Sequence, residues 1–107
     1  MAKQVLVECR DLFFRGKIQA VLRAAGAELT RDEPFDLAVV ELDRTGVEER
    51  IRALVQRGIP VLAFGSHVDA EALRAARNLG ARAVPNSELE TALRALLGST
   101  SSSSSSV

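Results

Sequence analysis

Residues 35–43 read Phe35-Asp36-Leu37-Ala38-Val39-Val40-Glu41-Leu42-Asp43, an apolar run of strand length with carboxylates at both ends. A run of this kind suits a strand buried within a sheet. In an open α/β sheet the ligand crevice lies outside the carboxyl ends of the strands. Glu41 and Asp43, at that end of the run, are therefore the first candidates for binding or chemistry.

Elsewhere apolar periodicity alternates between short runs and helical spacing, the pattern of βαβ units in a parallel sheet. Val5-Leu6-Val7, Leu37 to Leu42, Pro60 to Phe64 and Ala81 to Val84 read as strands, and each precedes a helical pattern. Phe14, Ile18, Val21, Leu22 and Ala25 make one apolar stripe that stops at Gly26. Val47, Ile51, Leu54 and Val55 make a second, up to Gly58. Asp69 is an N-cap candidate for a helix carrying Ala70, Leu73, Ala76 and Leu79 and ending at Gly80. Ser87 and Glu90 have capping-box spacing ahead of Leu89, Leu93, Leu96 and Leu97.

The rhythm breaks between Gly26 and Phe35. Ala27-Glu28-Leu29-Thr30 reads either as a short edge strand or as part of a loop, and the residues after it are too few for a helical crossover. One sheet face is then thinly covered, which predicts apolar surface open to a partner. From Gly98 the chain becomes Ser-rich, and the expectation is a globular domain over 1–97 with a disordered tail, linker or remnant over 98–107.

Composition narrows the function. The 107 residues fit one small domain, and 14 basic residues against 14 acidic ones give no basic surface for nucleic acid or membrane. A single cysteine forbids an internal disulfide, and the start Met1-Ala2-Lys3-Gln4 lacks a signal-peptide core. A cytoplasmic location is the expectation. Nothing matches a dinucleotide or Walker phosphate loop, so no cofactor is expected.

The run from Asp36 resembles strand three of response-regulator receiver domains, which usually reads Asp-Leu-Val-Leu-Leu-Asp-Leu, the second Asp being the phosphoacceptor. Ile59-Pro60-Val61-Leu62 and Gly80-Ala81 are similar to the receiver segments at strands four and five. The likeness spans residues 4–97 and implies a three-layer, flavodoxin-like or receiver-like α/β domain. Its open parallel sheet would hold four or five strands in the order 2-1-3-4-5, here with the second helix missing or vestigial. It also implies a degenerate phosphoacceptor pocket. Glu41 falls at the acceptor, with Asp43 an alternative in a slipped register. Cys9 and Arg10 fall where receivers hold magnesium with an acidic pair, Gly65 or the adjacent Ser66 at the hydroxyl position, and Ser87 at the lysine. Phosphoryl transfer needs cations to neutralise developing charge. The resemblance therefore implies a phosphorylation-independent pseudo-receiver that binds another signalling protein or a second copy of itself. Arg74, Arg77, Arg82 and Glu90 form the charged rim of the surface receivers commonly use to pair, with Arg10 placed to neutralise Glu41.

Three other readings compete. Cys9 and Arg15 have the Cys-x5-Arg spacing of phosphotyrosine phosphatases, with Asp11, Leu12, Phe13 and Phe14 as awkward loop residues. His67 with Cys9, Glu41 and Asp43 has the right elements for a mixed metal site, but no paired ligand spacing, so no metal is expected. An inactive scaffold shortened by engineering is the third.

Overall fold

A parallel sheet buries both faces, and this chain builds one from five strands. The computed structural model describes residues 2–43 and 45–105, with the backbone alone over 99–105. The elements are β1 (Gln4–Glu8), α1 (Leu12–Ala25), β2 (Glu28–Thr30), β3 (Leu37–Glu41), α2 (Val47–Gln56), β4 (Val61–Gly65), α3 (Ala70–Asn78), β5 (Arg82–Pro85) and α4 (Leu89–Ser105). The strands lie in the order β2-β1-β3-β4-β5, all pairings parallel. The expected α/β architecture, strand order included, is the one observed. Within the segment read as edge strand or loop, Glu28–Thr30 form an edge strand, and no helix lies between β2 and β3.

Successive strand residues point to opposite faces, which sorts the core into two clusters. On one face Val5, Val39, Leu62, Phe64 and Val84 pack against Ile18, Val21 and Leu22 of α1 and Leu89 and Leu93 of α4. On the other, Leu6, Ala38, Val40 and Ala63 meet Ile51 and Leu54 of α2 and Leu73 and Ala76 of α3. Most of the helical stripes predicted from sequence form these buried faces, while Ala25 and Ala70 of those stripes are exposed.

Helix ends follow local chemistry. Asp11 caps α1, its Oδ1 accepting from the Phe13 and Phe14 N–H groups at 2.9 and 3.4 Å. Asp69 caps α3 as predicted, accepting from the Ala72 N–H at 3.4 Å. Gly80 takes φ +105°, and a Cβ there would stand 3.0 Å from Val55 Cγ1, so turn and packing both require glycine. The Ser87–Glu90 capping box does not form. The chain enters α4 through a 3-10 turn over Asn86–Glu88 without a side-chain cap. The Glu90 carboxylate turns instead to Lys17 of α1, at 3.3 Å, and Arg94, at 3.8 Å. Backbone helix in α4 continues to Ser105, and the apolar stripe that packs it ends at Leu97.

The face left without a helix differs from expectation. Leu29 packs with the α1–α4 cluster, so Glu28 and Thr30 point to the α2 side, beside Gln4, Leu6 and Glu8 of β1. Gln4 Nε2 donates to Glu28 Oε1 at 3.1 Å, and Arg50 Nε donates to Glu8 Oε2 at 2.8 Å. Leu6 is the apolar residue of this group and is only 5% exposed. Phe35, from the β2–β3 connection, packs against the same cluster. Glu33 of that connection, before a cis Pro34, pairs with Arg57 beyond α2. Polar side chains and a tethered loop therefore cover the region where an apolar opening is predicted.

Phe64 is fully buried in β4 and tilts against the Phe14 ring, with centroids 5.7 Å apart. Replacing it with alanine removes a large side chain from a close-packed site. Phe64→Ala is expected to lower unfolding free energy by about 3–5 kcal/mol in urea titrations followed by circular dichroism.

Candidate functional site

Parallel strands deliver their carboxyl ends to one edge of the sheet, where several clefts open among the described residues, two of them holding the residues singled out from sequence. One, of about 480 Å³, lies outside β3 and β4 and is lined by Asp11, Phe14, Glu41, Leu42, Asp43, Gly65, Ser66, Val68, Asp69 and Asn86. The other, of about 400 Å³, lies beside the end of β1 and is lined by Leu6, Val7, Glu8, Cys9, Arg10, Arg15, Arg31 and Arg50.

The pocket inferred from sequence is divided between them. Glu41, Asp43, Gly65 and Ser66 share the first cleft, while Cys9 and Arg10 line the second. Ser87 lines neither; it is exposed in the 3-10 turn, and Asn86 faces the cleft in its place. Asp11 and Asp69 also enter the first cleft, so among the described residues its ionisable lining is four carboxylates: Asp11, Glu41, Asp43 and Asp69. Their helix-capping roles were readable as Asp before an apolar run. Their arrival in one cleft depends on the strand order.

Glu41 is half-buried, and its Oε1 accepts the Arg10 backbone N–H at 2.9 Å. The pair expected between the Arg10 guanidinium and Glu41 is thus a hydrogen bond from the Arg10 main chain, with Arg10 lining the neighbouring cleft. Gly65, at the hydroxyl position implied by the receiver likeness, is backed by Leu42: an added Cβ would lie 3.3 Å from Leu42 Cβ and Cδ1. Ser66 is exposed, and its Oγ accepts the Val68 N–H at 3.3 Å, so its hydroxyl serves a turn.

The phosphatase reading fails on geometry. Cys9 is 4% exposed, and its thiol donates to the Asp11 carbonyl at 3.3 Å. Burial pushes the thiol pKa up, and the nearby Glu41 charge pushes it further; the Asp11 hydrogen bond and Arg15 oppose both. The amides at the start of α1 that would cradle a phosphate already bind the Asp11 carboxylate. Arg15 Nη1 donates to the Cys9 carbonyl at 3.3 Å. His67 lies exposed in the turn after β4. Among the described residues, no three His, Cys, Asp or Glu side chains assemble as a metal site.

On the opposite side, two members of the predicted charged rim are occupied within the chain. Arg77 Nε and Nη2 both donate to the Ala83 carbonyl, at 3.1 and 2.8 Å, clamping α3 to β5. Glu90 holds Lys17 and Arg94, whereas Arg74 and Arg82 are exposed.

With this geometry in hand, comparison with solved structures decides the fold. A CheY-like receiver domain from Methanospirillum hungatei superposes with a TM-score of 0.69 at 16% identity, covering 96% of this chain and 99% of that one. The fold is that of a response-regulator receiver domain. A receiver protein from Burkholderia phymatum matches with a TM-score of 0.67 at 22% identity over 90% and 95% of the two chains. An orphan response regulator of H. pylori matches with a TM-score of 0.66 at 17% identity, covering 94% of each chain. No protein-family model matches the sequence, and no curated protein matches it.

Two measurements check this site. Because the Cys9 pKa is raised, less thiolate is present at neutral pH than in a free thiol. Iodoacetamide labelling of the folded protein is expected to run slower than in urea at pH 7, and faster labelling of the folded form would contradict the buried thiol. Gly65→Ser forces Leu42 to yield and is expected to cost about 1–3 kcal/mol in denaturant titrations.

Proposed function

We propose that this receiver-fold chain is a signalling module whose output does not depend on phosphorylation and is delivered by binding another protein. The observation that carries the reading is the contact between β1 and β3. Where receivers carry the acidic pair and the acceptor, this chain has Arg10 and Glu41, joined by a backbone hydrogen bond. Glutamate at the acceptor position places its carboxylate one methylene further out than aspartate. Four carboxylates of the cleft repel an incoming phosphoryl donor, and among the described residues no Lys or Arg lines that cleft to offset them.

The surface around the cleft supports a protein ligand. Leu12 is 80% exposed, Phe13 65% and Val68 79%, all at the carboxyl edge of the sheet. Val68 lines the acidic cleft itself. Apolar side chains beside a concentrated negative charge suit a partner with complementary basic and apolar groups. The exposed Arg74 and Arg82 offer a second, more polar contact surface for a signalling partner or a second copy.

Beryllofluoride with magnesium mimics an acylphosphate, and the test is an amide NMR titration with both. The expected result is no saturable shift at Glu41, Asp43 or Gly65, and no phosphoryl mass gain after incubation with acetyl phosphate. Saturable shifts at those residues, or a mass gain mapped to Asp43, would overturn phosphorylation independence.

A further inference from the structure

Charge that balances over the whole chain is separated at the carboxyl edge of the sheet. Among the described residues, the cleft beside β1 brings together Arg10, Arg15, Arg31 and Arg50 against one carboxylate, Glu8. It exists because β2 is short: β2 pairs only with Gln4, Val5 and Leu6, while β1 continues to Glu8 with β3 as its neighbour. The notch left beyond Thr30 is walled by Arg31 of the connection, Arg15 of α1 and Arg50 of α2.

We propose that this notch binds a small diphosphate-bearing anion. Two of its arginines are fixed by the protein. Arg50 Nε is on Glu8 Oε2 at 2.8 Å, and Arg15 Nη1 is on the Cys9 carbonyl at 3.3 Å. Each of these guanidiniums keeps further N–H donors beyond the bond named. Arg10 and Arg31 are exposed, and among the described residues neither guanidinium has a hydrogen-bond or ion-pair partner. A planar guanidinium matches phosphate oxygens two at a time, and four around one cleft exceed what a single carboxylate ligand would use.

Size and lining narrow the ligand class. At about 400 Å³ the notch is larger than one phosphate needs. No aromatic ring lines it, so recognition falls on the phosphates rather than on a stacked base. The acidic cleft next door, beginning at the Glu41 carboxylate that holds the Arg10 N–H, bounds the positive region and prevents a long polyanion from lying across the edge. The notch contains none of Asp43, Gly65 or Ser66, so anion binding there is independent of phosphorylation chemistry.

The test is an NMR titration of the full chain with inorganic pyrophosphate, read on backbone amides and arginine Nε–H signals, with sulfate at matched ionic strength as control. Saturable shifts are expected at Val7 to Arg10, Arg15, Arg31 and Arg50, at least about tenfold tighter than for sulfate and weakening with added salt. Arg10→Ala and Arg31→Ala are each expected to weaken binding about tenfold with an unchanged thermal melt. Adenosine diphosphate in parallel separates the sources: equal affinity assigns recognition to the diphosphate alone, and failure to bind assigns the notch to the inorganic ion. A response no different from sulfate, shifts centred on Glu41, Asp43 and Gly65, or full affinity in the Arg10→Ala, Arg31→Ala double variant would overturn the proposal.

Discussion

Burial of β1, β3 and β4 on both faces is the constraint on which everything else in this domain depends. Val39, Val40, Leu62, Ala63 and Phe64 are fully buried, alternating between two apolar clusters that face different helix pairs. Parallel pairing requires every strand to return to the same end, so the chain between strands must cross a face, and the crossing helices supply the cover. The same requirement puts all strand carboxyl ends on one edge. Residues far apart in sequence, such as Glu41 and Arg10, meet there because of the core and not through any attraction of their own.

The edge itself separates its charges. A phosphoacceptor needs a cation and positive side chains focused on one carboxylate. Here the negative side chains gather outside β3 and β4, the positive ones gather beside β1, and the Arg10 N–H on Glu41 Oε1 marks the boundary. Leu42 closes the space behind Gly65. The edge therefore presents two fixed, opposite fields side by side. Fixed fields favour recognition and orientation of partners over group transfer.

Much of the fold was legible in the sequence because helix stripes and strand runs depend on local periodicity. The stripe from Phe14 to Ala25, the cap at Asp69 and the helix missing before Phe35 follow from spacing alone. The polar character of the uncovered face was also legible, since Gln4, Glu8, Glu28 and Thr30 alternate with apolar residues, but it was hidden by counting the missing helix as lost cover. The candidate site was less legible. Asn86 rather than Ser87 faces the acidic cleft because a 3-10 turn intervenes. The arginine cleft draws Arg10, Arg15, Arg31 and Arg50 from four separate segments, and a balanced net charge conceals such clustering.

The shortness of β2 has one more consequence. Three residue pairs join it to β1, it forms the outer edge of the sheet, and its α2-side face meets polar side chains rather than a helix. Little apolar area holds it in place, so it belongs to the part of the domain that opens locally at the lowest free energy, with amide protons that exchange ahead of those in β3 and β4. Arg31 follows directly on this strand. Fraying of β2 would therefore carry one wall of the arginine notch with it, and any ligand held there would act as a clasp on the edge of the sheet.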